Sequence, residues 1–209
     1  MKLTITDEEV ARIDSAVEGA LAGGDRSALR ILGFGEVSCV VASETEAGRF
    51  AVKRLPPFAS EEAFARYEAT LHEYIERLTA KGVRVAPSEL RRVLRDRGRL
   101  IAYCIQPMME ADSLGTRHFA GAGSAESFVL LLDHILSAID ATTGLDAQIS
   151  NWAFVGGEVI YFDVTTPMLR DPEGREKLDV DLFLASLPAP LRPVVKRFML
   201  RSILDKYYD

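Results

Sequence analysis

The spacing of apolar positions divides the chain into a strand-rich first half and a helix-rich second half. Residues 7–22 repeat apolar side chains at helical intervals, with Thr6 and Glu9 spaced as a capping box and Gly23-Gly24 closing the run. The stretch ALRILGFGEVSCVVASETEAGRFAVKRL (28–55) instead sets β-branched apolar runs around a GFG turn and a polar ETEAG turn, which predicts successive antiparallel strands. Over 60–80 the helical period returns, and Phe64, Tyr67, Leu71, Tyr74, Ile75 and Leu78 fall on one face. VRVAP, RRVL and RLIAYCIQP (99–107) read as strands again.

Beyond Pro107 the pattern changes. MMEADSLGTRHFAGAGS is loop-like with a single helical turn, and AESFVLLLDHILSAIDATTG (125–144) predicts a strongly apolar helix closed by Gly144. From 176 to 209 two helices are expected, broken by the prolines of LPAPLRP. The expected fold class is α+β within one domain, 1–209. Its parts are an N-terminal helix over 1–24, a β-rich lobe over 25–107, and a hinge with a short helical lobe over 108–209.

Composition narrows the function classes. The chain has 209 residues, 48% apolar and 27% charged, as an ordinary globular protein does. A net charge of −6 offers no basic field for a nucleic-acid backbone, so no nucleic-acid partner is expected. The basic run RRVLRDRGR (91–99) is interrupted and reads as solvated. The first twenty residues carry acids and no apolar core of a signal peptide, and no apolar run approaches the ~18 residues of a membrane span. Neither secretion nor a membrane partner is expected. Cys39 and Cys104 sit in strand-like runs and fit reduced core residues of a cytoplasmic protein. His72, His118 and His134 are scattered without ligand spacing, so no zinc site is expected.

Three groups of residues carry candidate chemistry. The first is Gly33-Phe34-Gly35 followed by Glu-Val-Ser; glycines let backbone N–H groups approach phosphate oxygens closely, although such turns also simply join strands. Eighteen residues after Gly35, Lys53 lies inside an apolar strand, where it either snorkels from an edge or faces an anion with a carboxylate to fix it. On the helix over 60–80, Glu68 flanks the apolar stripe while Glu73 points nearly opposite it, which favours Glu68 as that carboxylate. The third group is GLDAQISNWAFVGGEVIYFDVT (144–165). Here Asp146, Asn151 (the only Asn of the chain) and Asp163 stand at the two ends of a strand–turn–strand. Turn chemistry accounts for Asp146 and Asn151 one at a time, and capping for Asp163; neither accounts for their order and spacing together.

Asp146 precedes Asn151 by five positions and Asp163 follows Asn151 by twelve. With GFG and AVK in the same order upstream, this pattern resembles the protein kinase-like superfamily from Gly33 to Asp163, above all its small-molecule branch with the aminoglycoside phosphotransferases. The resemblance implies a bilobal fold, ATP and Mg²⁺ as cofactors, and transfer of a phosphoryl group to a small-molecule hydroxyl. It implies that Gly33 and Gly35 cover the phosphates and that Lys53, held by Glu68, binds the α/β-phosphates. Asn151 and Asp163 would hold Mg²⁺, and Asp146 would orient the acceptor hydroxyl and take its proton. MMEADSL becomes the hinge, with adenine bonding to the Pro107 carbonyl and the Met109 N–H; Pro107 lacks only an N–H that its position does not use.

The chain departs from that pattern in places. Gly144-Leu145 replaces the usual His-Arg or His-Gly before Asp146, Thr165 stands where a glycine is usual, and Ser38 replaces the third loop glycine. Fewer than fifty residues follow Asp163, which favours a small acceptor or one completed by a partner protein. Two alternatives accompany the main reading: a kinase or nucleotidyltransferase acting on a peptide or protein, and a pseudokinase that binds nucleotide or a partner without turnover.

Overall fold

The computed structural model describes residues 5–23, 29–34, 39–46, 48–95, 100–121, 123–184, 192–193 and 200–208. The chain is α+β, with a mostly antiparallel sheet and a few helices. It divides into two compact units, Met1–Ala65 with Pro87–Met108, and Arg66–Ala86 with Met109–Asp209.

In the first unit α1 (Asp7–Leu21) begins at the expected capping box. The Thr6 hydroxyl accepts from the Glu9 N–H, and the Thr6 N–H donates to the Glu9 carboxylate at 2.8 Å. Asp7, Glu8 and Glu9 in the first turn also suit the positive end of the helix dipole. The strands β1 (Ile31–Phe34), β2 (Cys39–Thr45) and β3 (Gly48–Arg54) follow. After α2 (Glu61–Ala80) and β4 (Arg84–Val85) come β5 (Glu89–Leu94) and β6 (Leu100–Pro107). Five of these strands make one antiparallel sheet in the order β1-β2-β3-β6-β5. Val41, Phe50, Val52, Ile101, Tyr103 and Ile105 point to one face, where they pack with Ile5, Val10, Ile13 and Val17. The N-terminal helix is therefore the cover of that face. Because side chains alternate along a strand, Val40, Ala51, Lys53 and Cys104 belong to the other face.

Polar contacts also fasten α1. Asp14 is only 2% exposed and accepts from the Tyr103 hydroxyl at 2.7 Å and from the Arg95 guanidinium. Glu18 pairs with Arg54 and Arg95. Burial, then the bond to Asp14, push the Tyr103 hydroxyl far above the ordinary tyrosine range.

In the second unit Tyr67, Leu71, Tyr74 and Leu78 are the buried stripe of α2, while Ile75 is half-buried. α3 (Gly115–Ala120), α4 (Ala125–Ala138), β7 (Trp152–Val155) and β8 (Glu158–Tyr161) follow, then α5 (Val180–Leu184) and α6 (Leu200–Asp205). β7 and β8 form a hairpin, and β4 adds to β8 in parallel. Its two turn glycines, Gly156 (φ 61°) and Gly157 (φ 84°), are both left-handed, as a type I′ turn demands.

Three expectations need adjustment. The segment after Pro107 holds a 3₁₀ turn at Ala111–Ser113 and the helix α3, more order than a loop with one turn. The helix expected over 125–144 stops at Ala138. Just beyond, the Asp140 carboxylate accepts from the backbone N–H groups of Thr142 (2.7 Å) and Thr143 (2.8 Å), an Asx turn that outcompetes further helix. Gly144 is thus no helix cap. α4 is apolar on more than its core side: Phe128, Val129, Leu132 and Leu136 are exposed, and Leu131 and Ala138 are buried. The expected break at LPAPLRP lies outside the described residues apart from Arg192 and Pro193. No described helix is long and apolar enough to cross a membrane.

Candidate active site

The first unit carries Gly33, Lys53 and Pro107. Lys53 sits on β3 directly opposite Val40 of β2 and Cys104 of β6, on the face turned away from α1. Gly33 lies on β1 at a shift of register with β2, and a Cβ there would meet no atom of the described residues within 4 Å. Packing within the described residues does not demand glycine at 33. Gly35 and Ser38 lie outside the described residues. Pro107 ends β6, and the next N–H, of Met108, donates to the Arg49 carbonyl at 2.9 Å. Antiparallel bonds alternate, so Pro107 falls between two of them and its missing N–H takes nothing from the pairing with β3.

The second unit carries Glu68, Met109, Asp146, Asn151 and Asp163. Glu68 is half-buried on α2, whereas Glu73 accepts from Arg77 at 2.6 Å and is also paired with Lys177. Met109 is half-buried after the end of β6.

Asp146, Asn151 and Asp163 are tied together through Asn151. This residue is 9% exposed and closes a 3₁₀ turn in front of β7. Its Nδ2 donates to the Asp146 carbonyl at 3.3 Å, and its own carbonyl accepts from the N–H of Phe162 at 3.1 Å. Phe162 immediately precedes Asp163. One amide residue therefore bonds both acid-bearing segments. With Nδ2 engaged, Oδ1 is the ligating atom its side chain can offer. The Asp146 carboxylate accepts from the Gln148 N–H (3.2 Å) and the Gln148 Nε2 (3.1 Å), and Asp163 accepts from the Thr165 hydroxyl at 3.3 Å. Both acids act on the same buried hydroxyl pair: burial raises Tyr74 and Tyr161, and the charges of Asp163 and Asp146 raise them further.

The segment in front of Asp146 is held from several sides, none of them legible as a motif. The Gly144 N–H donates to the Met168 carbonyl (2.8 Å) and the Leu145 N–H to the Tyr207 carbonyl (2.9 Å). A Cβ on Gly144 would stand 2.7 Å from the Tyr207 oxygen, so no larger residue fits there undisturbed. Gly115, at the start of α3, is equally confined, since its Cβ would stand 2.3 Å from the Ile149 oxygen. The Tyr74 hydroxyl reaches the Gly144 carbonyl at 3.1 Å and the Tyr67 hydroxyl the Thr165 carbonyl at 2.8 Å. Sequence reading assigned both tyrosines to the core stripe; the hydroxyls where phenylalanine would also pack were the available signal.

These features define an α+β protein with an acid–amide–acid hairpin in one unit and a strand lysine in the other. Residues 12–209 match the model of DUF6206, a family of unknown function, and the chain belongs to that family. No curated protein matches it.

Proposed function

We propose that this chain is a kinase-like phosphotransferase that uses ATP and Mg²⁺ to phosphorylate a small-molecule hydroxyl. The observation that carries the reading is Asn151, whose side chain and main chain bond the segments bearing Asp146 and Asp163. Lys53 on the third strand of an antiparallel sheet, with α2 following that strand, supports it, as do the two compact units. They support the bilobal kinase-like fold as part of the same proposal.

The chemistry of the donors supports Mg²⁺ as the metal. Asp163 offers a carboxylate and Asn151 an amide oxygen, the hard oxygen ligands that Mg²⁺ takes together with water and substrate phosphates. Asp163 and the Asn151 Oδ1 would hold it, and when bound it neutralises charge developing on the phosphates. Lys53, positioned by Glu68, would bind the α/β-phosphates, while the Pro107 carbonyl and the Met109 N–H would take adenine. Asp146 would receive the acceptor's proton as the acceptor oxygen bonds to the γ-phosphorus and the bond to the departing ADP oxygen breaks.

A nucleotide-binding protein without turnover is the second reading. It is favoured by Gln148, which already donates to both Asp146 oxygens. A carboxylate offers about four acceptor sites, so these two bonds leave room for a hydroxyl.

Thermal shift with Mg²⁺ alone, ATP alone and Mg²⁺–ATP tests the binding. Ligand at a hundred times its Kd adds ~2.7 kcal/mol, a rise of ~5–10 °C for a chain of this size. Asp163→Ala is expected to remove the metal-dependent part, and Asp146→Asn to abolish phosphoryl transfer while leaving the shift in place. Absence of a metal-dependent shift in the wild-type chain would overturn the proposal.

A further inference from the structure

Two tyrosines stand seven residues apart on α2, two helical turns along its buried face. The Tyr67 hydroxyl donates to the Thr165 carbonyl at 2.8 Å, two residues after Asp163. The Tyr74 hydroxyl donates to the Gly144 carbonyl at 3.1 Å, two residues before Asp146. One helix face thus touches both acid-bearing segments through main-chain carbonyls. Hydrophobic packing asks only for a ring at 67 and 74, and a buried hydroxyl is costly to desolvate unless it is bonded. Gly144 has no side chain with which to brace its own loop, so the brace must come from elsewhere.

We propose that Tyr67 and Tyr74 are positioning residues that fix the Asp146 loop and the Asp163 segment relative to each other. The inference rests on reading Asp163 as a metal ligand and Asp146 as the proton acceptor. Removing the Tyr67 hydroxyl frees the Thr165 carbonyl and loosens Asp163. Removing the Tyr74 hydroxyl frees the Gly144 carbonyl, two residues before Asp146, and loosens Asp146.

The test uses the full chain with Tyr67→Phe and Tyr74→Phe, which keep the rings. Calorimetric titration with ATP in the presence and absence of Mg²⁺ is expected to leave metal-free ATP affinity unchanged in both. In Tyr67→Phe the Mg²⁺ concentration giving half-maximal enhancement rises about tenfold, the equivalent of one buried hydrogen bond. In Tyr74→Phe the turnover rate falls about tenfold with KM for ATP unchanged. Wild-type Mg²⁺ dependence and turnover in both variants would overturn the positioning role. Should the wild-type chain itself show no Mg²⁺-dependent binding, the functional reading fails separately, and hydrogen exchange decides the brace. The Leu145 and Val164 amides should then exchange about tenfold faster in the variants, with β2 and β3 protected as in wild type. Unchanged exchange at both amides overturns it.

Discussion

At the scale of single residues, Gly144 shows how a glycine can be required by space rather than by backbone angle. Its Cβ would lie 2.7 Å from the Tyr207 oxygen and 3.1 Å from Met168 Cβ and from Tyr208 Cε1. Tyr208 cannot yield easily, because its ring lies under the Arg170 guanidinium at 3.7 Å and its hydroxyl donates to Glu176 at 2.8 Å. Gly144→Ala must therefore displace backbone and weaken the bond from Leu145 to Tyr207. The expected loss is ~1–3 kcal/mol, a fall of roughly 2–12 °C in Tm. Gly33→Ala is the matching control, since no atom of the described residues lies within 4 Å of its Cβ, and Tm should stay as in wild type. A Tm for Gly144→Ala within a degree of wild type, read by calorimetry, would show that the loop yields without cost.

At the scale of elements, what the sequence made legible was local. The Thr6–Glu9 box, the α2 stripe and the Gly156-Gly157 turn each involve neighbours a few residues apart. The turn fixes the β7–β8 register, Trp152 against Tyr161, so the residues just outside it, Asn151 and Phe162, must meet. The hairpin register therefore accounts for the meeting of Asn151 with the segment that leads into Asp163. The bracing was not legible: Tyr74 and Gly144 are 70 positions apart, and nothing local announces them. Nor did the pattern show that the Asp140 turn would end α4 early. Asp14 is another such case. On a surface helix it looks solvated, yet it is buried because Arg95 and Tyr103 come to it from the sheet. Removing only the cation leaves the buried carboxylate with the Tyr103 hydroxyl but no counter-charge, so Arg95→Ala should cost up to ~3–5 kcal/mol. Adding Asp14→Asn should restore part of that loss, as a double-mutant cycle in urea will show. A loss under ~0.5 kcal/mol would mean that the Arg95–Asp14 pair does not hold α1.

At the scale of the whole molecule, two carboxylates held below their ordinary range make the fold sensitive to acid. Burial pushes the Asp140 carboxyl up, but Lys81 and the Thr142 and Thr143 groups outweigh it and hold it well below the usual carboxylate range. Hydrogen bonding from Lys177 holds Glu73 below its ordinary value against the opposing effect of burial, and Arg77 adds to it. For both groups the unfolded chain binds protons more readily than the folded one. Their stabilisation is therefore present above the unfolded carboxylate pKa, about 4 to 4.5, and is lost as pH falls through the depressed folded values. Trp152 offers the probe: it is the only tryptophan, it is fully buried, and it follows Asn151 directly. The urea midpoint of its emission should fall steeply below about pH 4.5. Asp140→Asn should start from a lower midpoint at pH 7 and fall less steeply, having already lost the carboxylate that acid would protonate. Parallel curves for the two chains would show that Asp140 does not carry the acid response. A shallower one would tie acid lability to the turn that delivers Gly144 and Asp146 to the candidate site.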